Sequence, residues 1–588
     1  MSRIGVFICH CGINIASTVD VERVTEEIGH HPEVVYATSY KYMCSNPGQQ
    51  LVKDAIVEHE LDSVVVAACS PLMHETTFRR ATSGVGLNPY RCEMANIREQ
   101  CSWVHEHEPA RATEKAIEIV RTVVEKVTRD EELEPLRLGV TKRALIIGGG
   151  IAGMQTALDV ASAGYPVVLV EREAHLGGKM SRLSGTYLNF TAAPDLLARK
   201  IEQILSHPNI EVLTGAQVLG VEGYVGNFEV EVSSEESSET GTFKVGAIVV
   251  AVGWDPYPLV RLPEYGGGEI ADVVDGLTFE EMLRGQAPQD PATSHEHPSS
   301  AYPFSHPLTL RRPSDGRVPR EVVFVQCAGS RDPERGVPYC SKVCCMYVAK
   351  QAMLFKERVP EGQAYVFYID IRSAGKGYDE YVQRAMEDHD TLYLRGKVSK
   401  IFRDGDKVMV WGADTLSGRP VEVAADLVVL ATPMTPSRQA LALAQTLRVS
   451  VDQNGFFSEA HPKLRPVESL TAGVFLAGAA QGPKDIPETV SQASGAAAKV
   501  LQLFSQDEMT QEPTVACVIW QFCSACGACV EACPYGARSI HPLWHIATVN
   551  PALCQNCGAC VVACPNKASQ ISNWTPSQIL AMADVVVG

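Results

Sequence analysis

Cys523, Cys526, Cys529 and Cys533-Pro534 are followed by Cys554, Cys557, Cys560 and Cys564-Pro565, so C-x2-C-x2-C-x3-C-P is written twice near the end of the chain. A four-iron cube takes four thiolates, and this loop supplies three from one turn while the fourth comes from the partner motif. The expected ligand sets therefore cross: Cys523, Cys526, Cys529 and Cys564 for one [4Fe-4S] cluster, and Cys554, Cys557, Cys560 and Cys533 for the other. Gly527 and Gly558 let the chain wrap closely around each cube, and the prolines turn it after the crossing ligand. Zinc ribbons place C-x2-C pairs further apart and fit this spacing poorly. Cys517 falls outside both motifs and is expected to be a buried thiol.

Two further cysteine groups are less regular. Cys327, Cys340, Cys344 and Cys345 follow an apolar strand, EVVFVQ at 321–326, as C-x12-C-x3-C-C. A third cluster and a dithiol that exchanges with a flavin both suit them; the number four favours the cluster, since a dithiol centre needs two and usually uses C-x2-C. Near the start, Cys9 and Cys11 follow one strand-like run, Cys44 a second and Cys69 a third. Loops at the carboxyl ends of parallel strands gather on one edge, so these four thiols are expected to converge on a fourth cluster. The alternative is small buried apolar residues, which free cysteines often are. Cys101 is a substitute ligand for Cys11, and Cys92 reads as structural.

The elements that must position these groups are αβ units. In 143–153, RALIIGGGIAG, a strand runs into Gly148-x-Gly150-x-x-Gly153 and a helix, and the next strand, VVLVE, ends at Glu171. This is a dinucleotide fingerprint: the glycines permit a tight turn and close approach to pyrophosphate, the helix N-terminus faces the phosphates, and Glu171 is placed for the ribose hydroxyls. FAD is favoured over NAD by Gly177-Gly178-Lys179-Met180 soon after Glu171, by AIVVAVG ending at Gly253, and by GVFLAGAAQGPKDIPETVSQASGAAA at 473–498. In that last segment Gly478 and its neighbours are expected to approach the flavin, a helix starting near Ile486 points its positive end at the ring, and Lys484 offers a cation. The strand at 321–326 runs into Cys327 and not into a second glycine fingerprint, so no nicotinamide site is expected.

Residues 1–135 alternate strand-like and helix-like runs and suggest a small parallel sheet with flanking helices. The whole is then an α/β protein of three parts. Residues 1–140 form the N-terminal α/β domain, and 141–505 a two-dinucleotide-domain flavoprotein core with flavin halves near 141–257 and 425–505 and a cysteine-bearing half near 318–424. Residues 506–588 form an α+β two-cluster ferredoxin domain. The 588 residues exceed what one core holds. Residues 258–320, with SHEHPSSAYPFSHPL, are read as a surface excursion and not a metal site.

Composition narrows the partners. Lys plus Arg number 51 against 69 Asp plus Glu, a net charge of -18 that repels nucleic acid and anionic membranes. No run approaches the roughly 20 apolar residues of a membrane span. The start MSRIGVFICH has no secretory pattern, and 19 cysteines without one point to metal or redox use in the cytoplasm.

Taken in series, ICHCG, MCSNPG, AACSP, NIREQCSWVHE, the glycine fingerprint, CAGSRD with PYCSKVCCMYVAKQA, and the doubled cysteine motif resemble the A-subunit family of heterodisulfide reductase over nearly the whole chain. The resemblance implies a thioredoxin reductase-like core with FAD, inside a large complex that divides two-electron input between a high-potential acceptor and a low-potential ferredoxin, which is electron bifurcation or its reverse. The partners it implies are B and C subunits or their equivalents, a hydrogenase, formate dehydrogenase or other electron donor, ferredoxin, and a second copy of the chain. One departure stands out: many methanogen members carry an inserted ferredoxin domain and a cysteine-bearing segment, whereas GTYLNFTAAPDLLARK has no cysteine and a short Ser/Glu-rich loop replaces the insert. If the insert carries the low-potential electrons in those members, then either this complex does not bifurcate in that way, or the C-terminal module takes over the exit. Two other functions compete: a stand-alone NAD(P)H-dependent disulfide or sulfur reductase using Cys340, Cys344 or Cys345, and a redox-sensing scaffold whose clusters only hold the fold.

Overall fold

The apolar runs Ile4–Cys9, Ser63–Ala68, Ala144–Ile147 and Ala247–Val250 are strands buried along their whole length, as strands covered on both faces must be. The computed structural model describes residues 2–234, 240–284 and 310–587. They form two bodies: Gly139–Glu508, and a second built from both chain ends, Met1–Leu138 with Met509–Gly588.

In the body made of the chain ends, the N-terminal part holds a parallel sheet in the order Val34–Tyr40, Ile4–Cys9, Ser63–Ala68, Cys92–Asn96. The last strand and the helix Pro71–Ser83 do not stand out in the sequence pattern. The C-terminal part has two short antiparallel pairs, Ala516–Val518 with Ser569–Ile571 and Arg538–Ile540 with Ala547–Val549. The expected division into domains 1–140 and 506–588 does not describe this body, because the helix Pro576–Val587 packs on the helix Pro109–Val127. Gln578 Nε2 donates to the buried Asp130 Oδ1 at 2.7 Å, and Asn573 exchanges hydrogen bonds with the Glu131 main chain at 2.8 and 3.0 Å.

The other body repeats one plan twice: a five-stranded parallel sheet with a three-stranded antiparallel meander. The first sheet runs Val474–Leu476, Ala247–Val250, Ala144–Ile147, Val167–Val170, Ile210–Leu213; the second runs Val273–Asp275, Leu427–Leu430, Glu321–Val325, Gln363–Tyr368, Leu392–Arg395. Here the expected boundaries of 318 and 425 are corrected. Leu427–Leu430 pairs with both Val273–Asp275 and Glu321–Val325, so the central half takes strands from either side of 318–424. The two halves are joined where Trp254–Pro256 pairs antiparallel with Met434–Pro436. Residues 235–239 and the histidine-rich stretch at 294–308 lie outside the described residues. No helix among the described residues is long and apolar enough to cross a membrane.

Candidate redox sites

A cavity of about 860 Å³ lies between the two halves of the larger body, at the carboxyl ends of the first sheet. Gly148, Gly150, Glu171, Gly178, Lys179, Gly253 and Lys484 line it. Gly148 has φ +112°, and a Cβ there would sit 2.4 Å from the Ala251 carbonyl oxygen. A Cβ on Gly150 or Gly253 would meet open space, which marks a cradle where backbone can approach a ligand. Gly153 is not in the wall: a Cβ there would lie 1.8 Å from the Gly148 oxygen, so this glycine lets the helix Ile151–Ser162 close on the turn. Gly478, expected to approach the ligand, packs against Ala152 and Thr489 instead, and Ala479 takes the place in the wall.

Glu171 is engaged within the fold, Oε2 accepting from Gly149 N–H at 2.5 Å and Oε1 from Glu173 N–H at 2.8 Å. Lys179 Nζ pairs with Asp255 at 3.2 Å. The helix Ile486–Phe504 starts at the cavity, with Asp485 and Glu488 forming a reciprocal cap. Asp485 also accepts from the hydroxyls of Tyr187 and Tyr378 at 2.7 and 2.6 Å. Lys484 borders the same space; burial, then the nearby Lys342 charge, bring its pKa down to about 8. A mainly apolar cavity with a glycine turn and two helix N-termini suits a dinucleotide flavin, whose pyrophosphate needs N–H donors and whose ring needs apolar walls.

Sequence reasoning missed a buried ion pair in the same wall. Glu280 and Lys350 are each 3% exposed at the side chain and 2.7 Å apart. Glu280 also accepts from Ser184 N–H at 3.0 Å, Ser184 Oγ at 2.6 Å and Gln351 Nε2 at 2.8 Å, and Lys350 donates to the Gly185 oxygen at 2.6 Å. Burial pushes the Glu280 pKa up, but Lys350 and these donors outweigh it and hold the carboxyl below its ordinary range. The only hint in the sequence is a lysine five residues after the Cys344-Cys345 pair.

Cys327, Cys340, Cys344 and Cys345 come together at the end of the strand Glu321–Val325 and the start of the helix Cys344–Arg358. Cys327 adopts a left-handed φ of 58°, as do Arg331 and Lys342 nearby, which bends the loop back on itself. Cys344 and Cys345 each feel the charge of Cys327 and Cys340. Burial is the main reason the Cys345 thiol rises to about 11, and it raises Cys344 and Cys327 also. Lys342 N–H donates to Cys340 Sγ at 3.3 Å and Arg372 N–H to Cys345 Sγ at 3.4 Å, the kind of donor that steadies a thiolate. Val343, which precedes Cys344, and Tyr347, which Cys344 contacts, are cavity-wall residues, so Cys344 adjoins the wall.

At the start of the chain, Cys9 closes the first strand, Cys11 sits in the next turn with φ 49°, and Cys69 follows Ser63–Ala68. Cys9 feels the charges of Cys11 and Cys44, and Cys69 that of Cys11, so these four share one sheet edge. Arg98 Nη1 donates to Cys11 Sγ at 3.2 Å. Cys101 is fully buried against the helix Pro109–Val127, with its thiol on the Ala112 oxygen at 3.0 Å. Cys92 is buried at 1% exposure.

The C-terminal part has two small voids. Cys523, Cys526, Cys529 and Cys564 line one, and Cys533, Cys554, Cys557 and Cys560 the other. Ala547 N–H donates to Cys523 Sγ at 3.3 Å, Ala516 N–H to Cys554 Sγ at 3.4 Å and Ala568 N–H to Cys564 Sγ at 3.2 Å. Gly527 and Gly558, at φ 82° and 76°, start the short helices that carry the third cysteine of each motif. Cys517, expected to be buried, is exposed on its edge strand. Among the described residues, no three or more His, Cys, Asp or Glu side chains close around a single ion. The thiols surround voids, an arrangement suited to a cube.

Residues 142–284 match the pyridine nucleotide-disulphide oxidoreductase family model, and residues 522–568 match the 4Fe-4S dicluster domain. The chain is 40% identical to the second iron-sulfur A-subunit of the CoB–CoM heterodisulfide reductase of Methanopyrus kandleri, covering 91% of this chain and 90% of that one. It is 38% identical to the A-subunit of the H(2):CoB-CoM heterodisulfide,ferredoxin reductase of Methanothermobacter thermautotrophicus, covering 92% and 90%. Among solved structures, thioredoxin reductase of T. acidophilum aligns at 16% identity over 62% of this chain and 99% of that one, with a TM-score of 0.40.

Proposed function

Because the chain belongs to the heterodisulfide reductase A-subunit family, oxidoreductase components with a flavoprotein core and a four-iron-cluster domain, we propose that it is the electron junction of a multi-subunit complex. In this reading it divides two-electron input into one-electron transfers. FAD occupies the large cavity, held by Gly148, Gly150, Gly178, Gly253 and the N-termini of the helices at Ile151 and Ile486. When bound, the flavin supplies the exchange between paired and single electrons. Four [4Fe-4S] clusters complete the reading, on the two C-terminal thiol sets, the Cys327–Cys345 set, and Cys9, Cys11, Cys44 and Cys69.

One observation carries it: within the Cys327, Cys340, Cys344 and Cys345 group, the buried Cys344 adjoins the cavity-wall residues Val343, Tyr347 and Thr432. A wire needs contact of this kind more than it needs an acid or base. The strand before Cys327 has no second glycine turn, which favours electrons arriving through partner proteins over direct nicotinamide binding. The relatives' names mention ferredoxin, H2 and formate, and matching donors, ferredoxin and B and C subunits are the partners we assign. Purification of the native complex with iron and flavin quantified tests the reading. About sixteen irons and one FAD per chain, with partners retained, support it. Rapid NADH oxidation by the isolated chain overturns it in favour of a stand-alone reductase.

A further inference from the structure

The C-terminal cysteine motifs repeat at an offset of 31 residues, and the repeat extends past them: Cys533 is five residues before Arg538, as Cys564 is before Ser569. The two equivalent positions meet. Arg538 Nη2 donates to Ser569 Oγ at 2.9 Å across that same separation of 31 residues. One position therefore carries a permanent cation and the other a hydroxyl, within an otherwise matched pair of sites.

Arg538 is 4% exposed. It borders the void lined by Cys533, Cys554, Cys557 and Cys560 and does not border the other. Its Nη2 also donates to Cys560 Sγ at 3.2 Å, while its buried Nε and Nη1 have no acceptor in the protein. A guanidinium buried with two idle donors is costly unless a negative group answers it. A cube with four thiolate ligands is such a group, rich in sulfur acceptors. The charge of Arg538 is felt at Cys529 of the other set, but the hydrogen bond goes to Cys560.

We propose that Arg538 is a positioning residue that makes the two C-terminal clusters unequal, stabilising the reduced form of the one held by Cys533, Cys554, Cys557 and Cys560. Reduction adds one negative charge to a buried site, and a nearby unscreened cation with N–H donors to sulfur favours that state. A single electron shared between the two sites, with no bond or proton changing, then resides on the Arg538 side. The module is a directional step and not a symmetric pair. The inference rests on the reading that both thiol sets hold four-iron clusters.

The test is an EPR-monitored redox titration of the full-length, cluster-loaded protein and of Arg538→Met and Arg538→Lys. In Arg538→Met one of the two C-terminal signals moves to lower potential by at least tenfold in the one-electron equilibrium, about 59 mV, and Arg538→Lys recovers part of the shift. Loaded clusters whose potentials stay unmoved, or move equally, overturn the proposal. Should Arg538→Met fail to load, wild-type protein labelled with 15N-arginine decides by pulsed EPR: a 15N coupling to one reduced C-terminal cluster supports the proposal, and none overturns it. Iron analysis separates the failures. A wild-type C-terminal module short of about eight irons overturns the cluster reading itself, whereas a loaded module with equal potentials overturns only the role of Arg538.

Discussion

Lys350 Nζ lies 2.7 Å from Glu280 Oε2, and the two side chains, drawn from helices 70 residues apart in the chain, are both 3% exposed in the wall of the large cavity. Breaking such a pair leaves one uncompensated charge in a dry site, which costs about 3–5 kcal/mol. Lys350→Met is therefore expected to lower thermal stability and flavin retention strongly. Lys350→Met with Glu280→Gln should recover much of the loss, because the neutral amide still bonds Ser184 and no lone charge remains. Calorimetric unfolding of the two variants checks this, and equal loss in both would contradict it.

Gly150 and Gly153 stand three residues apart and predict opposite outcomes. A Cβ at 153 would overlap the Gly148 oxygen at 1.8 Å, whereas one at 150 meets nothing within 4 Å. Gly153→Ala should destabilise the fold by about 1–3 kcal/mol or more. Gly150→Ala should lose flavin while the unfolding midpoint of the flavin-free protein stays nearly that of flavin-free wild type. Flavin absorbance and unfolding curves on the same samples separate the two.

Cys564 lines the void of the first motif and Cys533 that of the second. Cys564→Ser should thus remove the cluster on Cys523, Cys526 and Cys529 and spare its neighbour, and Cys533→Ser should do the reverse. Each loses about four irons. Double variants tell crossing from uncrossed ligation: Cys564→Ser with Cys523→Ser should cost no more iron than either alone.

Lys484 titrates near 8 in the fold against 10.5 in the unfolded chain, burial being the first cause and Lys342 the second. Between those values the unfolded chain binds more protons, so stability rises with pH from about 8 to 10.5. Lys484→Met should lack that rise. Urea midpoints of the flavin-free protein at pH 8 and pH 10 measure it; parallel behaviour of the two proteins would mean that Lys484 titrates normally.

Much of the larger body was legible because its cues are local. The run into Gly148, Gly150 and Gly153 announces strand, turn and helix within a dozen residues, and Asp485 with Glu488 caps the helix Ile486–Phe504 that the late segment suggests. Other elements were hidden. Leu427–Leu430 looks like any apolar strand, and nothing near it says that it completes the central sheet. The fourth N-terminal strand, Cys92–Asn96, is short and partly polar, and it is a strand because the edge of Ser63–Ala68 accepts it. Cys101 resembled the other N-terminal thiols in sequence, yet it is fully buried with its thiol on the Ala112 oxygen of the helix Pro109–Val127.

By itself the sequence determined the chemistry on offer: how many thiols sit in each turn, where glycine allows backbone to approach a ligand, and that the chain belongs to a flavin and iron–sulfur family. Spacing within a turn is enough for that, because backbone geometry over a few residues depends on those residues. Only the tertiary structure decided which distant groups meet. Glu280 finds Lys350, Gln578 reaches Asp130 and Arg538 touches Ser569 and Cys560. Those pairings come from burial and hydrogen bonding summed over the whole fold, where a buried charge must find a partner wherever in the chain it lies.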